Sequence, residues 1–312
     1  MALLLPITGP SADVGNRMER AASLAQPLEG PDAAIVVFDT GGTAEGAAAA
    51  AVRAISAGAP MILGPVFGRE VAAVVAAAGG RPVLTFSNDF EATDGTFVLG
   101  VTPSQGTSAV LAYARDRGVR RVVLMAGADP WGRQSAIAAR QVARLVGVEL
   151  LEVDPAGGID AIRAGGALPD AVMLTDPAPA VSGVAAALVE AGVQILGPSR
   201  WTDETGAVLA GLEGSWIAGP DPETFSGFAR AFEATHQSAP GHLAALAYDG
   251  AMIARRLAAA GRVSREGLMT PEGFRGALGA VRFSADGRCT RELAIMVAER
   301  GVLHTVANAA GA

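Results

Sequence analysis

The residues best suited to chemistry are few and scattered. All 24 basic residues are arginine and none is lysine, which removes Schiff-base chemistry, a P-loop lysine and any catalytic lysine pair. His236, His242 and His304 lie apart without His-x-x-x-His spacing, so no metal centre is expected. No Gly-x-Ser-x-Gly elbow presents a nucleophile, and Gly41-Gly42 and Gly79-Gly80 are turn glycines outside any Gly-x-Gly-x-x-Gly dinucleotide loop. The lone Cys289 cannot form an intrachain disulfide. With no catalytic residue and no cofactor indicated, the expectation is a protein that binds without turning anything over.

What remains are polar and aromatic residues in short loops after apolar runs, at 65–69, 87–90, 129–132, 176–178 and 199–202. The run AAIVVF at 33–38 is a strand buried on both faces of a parallel sheet. Similar runs at 61–63, 82–86, 97–101, 121–126, 149–153, 171–175 and 194–196 alternate with helical stretches at 44–57, 70–78, 108–117, 133–146, 159–164 and 180–191. This βαβ alternation predicts an α/β fold of two doubly wound parallel-sheet lobes. Gly219-Pro220-Asp221-Pro222 breaks the rhythm. Helices follow at 223–235 and 243–259, then strands at 281–283, 292–298 and 302–306, turning at Asp286-Gly287 and Arg300-Gly301.

Composition sets outer limits. A chain of 312 residues exceeds one typical domain. Half the residues are hydrophobic and mean hydropathy is +0.35, yet no apolar run reaches the ~20 residues of a bilayer span. Net charge of −7 argues against a nucleic-acid surface. Ala2-Leu3-Leu4-Leu5-Pro6 is too short for a secretory core and reads as the first strand. The protein is then either cytoplasmic or numbered from beyond a removed export segment.

Several segments together resemble the leucine/isoleucine/valine-binding type of periplasmic receptor: ALLLPITG at 2–9, Leu63-Gly64-Pro65 before a helix, Asp129-Pro130-Trp131-Gly132, and Ala247-Tyr248-Asp249. The resemblance spans nearly the whole chain. It implies a type I periplasmic binding fold with a three-crossing hinge near 102–106, 218–222 and 281–285. The expected lobes are 1–103 with 220–282, and 104–219 with 283–312. It also favours a periplasmic location, with the export segment outside this numbering. Phe86-Ser87-Asn88-Asp89, VLGVTP at 98–103 and Phe283-Ser284-Ala285-Asp286-Gly287 are similar to penicillin-binding protein activators. These are lipid-anchored proteins of the same fold that regulate peptidoglycan synthases.

Two functions follow from these resemblances. One is the substrate-binding component of an ABC uptake system, holding a small polar, amino-acid-like solute between the lobes and delivering it to a membrane permease. The other is an activator whose partner is a peptidoglycan synthase. Ligands of open α/β sheets sit beyond the carboxyl ends of the strands, so the expected ligand-binding residues are Phe67, Gly68, Ser87, Asn88, Asp89, Trp131, Asp176 and Trp201. The loop at 65–69 runs into a helix whose N-terminal amides suit a carboxylate. Trp131 and Trp201 are each an aromatic wall or local packing; Ser87-Asn88-Asp89 is a ligand contact or a turn and cap. Asp176 reads equally as a solvated loop carboxylate.

Departures from the amino-acid receptors bear on the ligand. The serine expected for an α-carboxylate falls at Gly68, the aromatic at Trp131, and the acid expected for an ammonium near Ser199. Ordinary branched-chain amino acids are therefore expected to bind weakly or not at all.

Overall fold

The computed structural model describes residues 1–25, 35–88, 95–164, 166 and 168–311. They form two units: Met1–Gly100 with Pro222–Thr290, and Val101–Asp221 with Arg291–Ala312.

The first unit begins β1 (Ala2–Leu5), α1 (Ala12–Leu24), β2 (Val36–Asp39), α2 (Ala44–Ser56), β3 (Ile62–Leu63), α3 (Gly68–Ala77), β4 (Val83–Thr85) and β5 (Thr96–Val98). Its sheet is wholly parallel in the order β2-β1-β3-β4-β5. Thr43 caps α2 by accepting the Gly46 N–H. The buried face of α2 is all alanine (Ala47, Ala50, Ala51, Ala54) and packs against Ala2, Leu4 and Ile62 of the sheet. Small side chains let the helix lie close to the strands.

The second unit runs α4 (Pro103–Asp116), β6 (Arg121–Met125), α5 (Pro130–Val146), β7 (Glu149–Val153), α6 (Gly158–Ala164), β8 (Ala171–Leu174), α7 (Ala178–Glu190), β9 (Gln194–Gly197), α8 (Ala207–Ala210) and β10 (Trp216–Gly219). Strands β10-β9-β8-β6-β7 are parallel neighbours. Residues along β6 alternate between two cores. Val122 and Leu124 pack with Ala109, Leu111 and Ala139, while Val123 and Met125 pack with Leu188, Leu209 and Trp201. That alternation is what covering a sheet with helices on both faces requires.

The chain then returns to the first unit as α9 (Pro222–His236), α10 (Gly241–Ala259), α11 (Arg265–Leu268), β11 (Phe274–Gly276) and β12 (Gly279–Phe283). Helix α10 packs along α1. Finally β13 (Cys289–Glu299) carries the chain into the second unit, pairs antiparallel with β10, and is followed by its antiparallel partner β14 (Val302–Gly311).

Two sequence expectations need correction. Residues 102–106, expected from the resemblance to form a hinge crossing, open α4 instead, and the division between the units falls just before them at Gly100/Val101. Pro103 occupies the first helical position, where its missing N–H costs nothing. Thr102 and Gln105 close a reciprocal capping box around it. The third crossing lies at Thr290/Arg291, inside β13, further along the chain than the expected crossing at 281–285.

Candidate functional site

In the first unit, Asp39 ends β2 and its carboxylate organises the neighbouring loop. Oδ1 accepts the N–H groups of Ile7 (2.9 Å), Thr8 (3.1 Å) and Gly41 (2.8 Å), and Oδ2 accepts the Thr8 hydroxyl at 2.6 Å. Burial pushes this carboxyl up, but the Thr8 hydroxyl and the three N–H groups outweigh it and hold it below the usual carboxylate range.

The β3 and β4 loops are joined through Thr85. Its hydroxyl donates to the Pro65 carbonyl at 3.1 Å and accepts the Ser87 N–H at 3.2 Å. The structure thus links the loop of Phe67 and Gly68 to that of Ser87 and Asn88. Phe67 is the residue before α3, and the Arg69 guanidinium lies 4.4 Å from its ring centroid while Nη2 donates to the Gly42 carbonyl at 2.8 Å. Ser87 is buried and Asn88 half-buried. Asp89 lies outside the described residues.

Glu70, in the first turn of α3, is fully buried, and no hydrogen bond of good geometry reaches either carboxyl oxygen from the described residues. Burial raises it to about 7, with the Arg69 charge and the nearby Phe67 N–H pulling the other way. The start of this helix is therefore less hospitable to an anion than its amides alone suggest.

In the second unit, loops after β6, β8 and β9 converge on a residue the sequence reading missed, Arg200. Its Nη1 donates to Asp129 Oδ2 at 2.9 Å, Nη2 donates to the Thr175 carbonyl, and Nη2 stands 3.8 Å from Asp176 Oδ1. The guanidinium carbon is 5.5 Å from the Trp131 ring centroid. Asp129 also caps α5, accepting the Gly132 N–H at 2.7 Å through Oδ1. Burial raises the Asp129 carboxyl, but the Arg200 and Gly132 hydrogen bonds and the charges of Arg200 and Arg133 bring it below its ordinary range.

Trp131 sits within the first turn of α5, 9% exposed, with its indole N–H lacking an acceptor among the described residues. Trp201 is different. It is fully buried, its Nε1 donates to the Asp176 carbonyl at 2.8 Å, and its ring lies against Gly197, where a Cβ would come within 2.3 Å. Of its two readings, the structure shows local packing. Trp131, Asp176 and Trp201 are thus gathered at one corner, with Arg200 at its centre. The signal for Arg200 was a lone charge just after a buried strand.

The comparisons agree on one architecture. A family model described as periplasmic binding protein matches residues 1–302. A putative branched-chain amino acid ABC transporter protein from Rhodospirillum rubrum is 22% identical, with a TM-score of 0.78 over 98% of this chain and 99% of that one. An ABC transporter substrate-binding protein from Sphaerobacter thermophilus is 20% identical, with a TM-score of 0.73 over 98% and 96%. A solute-binding protein from Rhodopseudomonas palustris BisB5, solved with 3,4-dihydroxybenzoic acid, is 16% identical, with a TM-score of 0.68 over 99% and 96%. No curated protein sequence gives a significant match. At these identities the solved structures establish the fold, and the family model, which covers nearly all of the chain, establishes the lineage: this chain belongs to the periplasmic binding protein family.

Proposed function

We propose that this chain is the extracytoplasmic receptor of an ABC uptake system, capturing a small polar solute of amino-acid size and delivering it unchanged to a membrane permease. One observation carries the reading. Side chains from three loops at the carboxyl ends of β6, β8 and β9 converge on Trp131, Asp176 and Arg200, where open parallel sheets take their ligands. Family membership and the names of the solved relatives support transport over synthase regulation. No described helix is long and apolar enough to cross a membrane, as fits a receptor that works with a separate permease.

The test is a thermal-shift and calorimetric screen of purified protein against amino acids, organic acids, sugars and polyamines at millimolar concentration. A true ligand at ~100 times its Kd stabilises the folded state by about 2.7 kcal/mol, and mass spectrometry recovers it intact. A screen without any shift, or chemical conversion of the bound solute, would overturn the proposal.

A further inference from the structure

Arg200 has consequences for which solute the second unit accepts. Among the described residues, the strand-end loops of β6 and β8 contribute two carboxylates, Asp129 and Asp176, and Arg200 stands between them. Both oxygens of Asp129 are committed, one to the Gly132 N–H and one to Arg200. Asp176 has its Oδ1 within ion-pair distance of the same guanidinium. Asp203, exposed at the end of the turn that holds Arg200, and Glu204 after it are the further acids of the β9 loop. The guanidinium side chain is only 20% exposed and is held by a main-chain carbonyl as well as a carboxylate. It is a fixed internal cation.

An ammonium group arriving here meets carboxylates that already face Arg200 and a like charge that cannot swing away, a repulsion little screened at contact distance. The unmet demand points the other way. Two buried donors, Trp131 Nε1 and Arg200 Nε, have no acceptor among the described residues. The acceptors of the corner are turned to the two Nη atoms of Arg200, and a carboxylate or similar oxygen-rich group would supply the ones these two donors lack.

We propose that Arg200 determines specificity by occupying the place of a ligand cation, so that the solute is a small carboxylate without an amino group. This inference rests on the receptor reading above. A zwitterionic amino acid of the same size is discriminated against because its ammonium competes with Arg200 for Asp129 and Asp176.

The experiment uses pairs of probes that differ only in the α-amino group: 4-methylpentanoate against L-leucine, and 3-phenylpropanoate against L-phenylalanine, with benzoate as a further amine-free acid. Titration calorimetry on the full chain should show the amine-free member binding at least tenfold more tightly. Arg200→Lys, which keeps the charge, should preserve the preference. Arg200→Gln should weaken the amine-free acid and shrink the gap to under threefold. Equal or tighter binding of the amino acid by the native protein, or an undiminished preference in R200Q, overturns the inference and leaves the receptor reading intact. Binding of no probe, together with an empty general screen, overturns both.

Discussion

The carboxylate of Asp249, buried in the middle of α10, accepts the backbone N–H of Ala277 at 2.6 Å and that of Leu278 at 3.1 Å. It thereby fastens the helix to the turn between β11 and β12. Gly276 makes room for it, since a Cβ there would lie 2.2 Å from Asp249 Oδ1. The aspartate of the Ala247-Tyr248-Asp249 segment is thus a structural tie. Asp249→Ala strands two buried N–H groups and should cost roughly 2–5 kcal/mol, seen as a lower urea midpoint. Asp249→Asn should cost less, because its single carbonyl oxygen still accepts.

Glu70 should make stability fall as pH rises. Its folded value of about 7 lies above the ordinary 4.5, so the folded state holds the proton longer than the unfolded chain. The contribution is fully present below about 4.5, declines between there and 7, and stays lost above. Glu70→Gln should leave stability near pH 4 unchanged and raise it by up to about 3 kcal/mol at pH 8. Denaturant melts of both proteins across that range check this, and parallel pH profiles would contradict it.

Asp39 predicts the opposite slope. Its folded value is depressed, so its stabilisation is present above the ordinary carboxylate value and disappears as pH falls through the folded one. Asp39→Ala removes the acceptor for three N–H groups and the Thr8 hydroxyl. It should cost roughly 1–3 kcal/mol at pH 7, and the part that depends on charge should vanish in acid.

Trp201 and Trp131 should separate in their effects. Trp201→Ala empties a fully buried site and should destabilise the second unit by about 3–5 kcal/mol, with little change in which solutes are preferred. Trp131→Ala should cost less stability and alter solute affinity. Thermal melts and calorimetry on the two variants distinguish these outcomes.

The strands were legible because their signal is local, but their place in the sheet was not: RVVLMA supplies the doubly covered β6, whereas AAIVVF, read as buried on both faces, supplies the edge strand β2, with Val36 53% exposed. The starts of α4 and α5 were harder to read. Pro103 and Pro130 look like breaks, and only the capping bonds of Thr102 and Asp129 reveal them as first-turn residues. The loops of the candidate site were readable from strand ends, but their centre was not. Arg200 meets Asp129 across 71 residues of chain, a distance over which spacing carries no information. Trp201 was ambiguous because an aromatic after a strand has the same local pattern whichever way its turn directs it.

Each unit is assembled from segments far apart in the chain. Helix α1 waits for α10 to lie along it, and β10 waits for β13, pairing Trp216 with Val297. Neither unit is therefore complete until the last third of the chain is in place. Before that point the helix face of α1 and the edge of β10 are the surfaces a partner could wrongly engage.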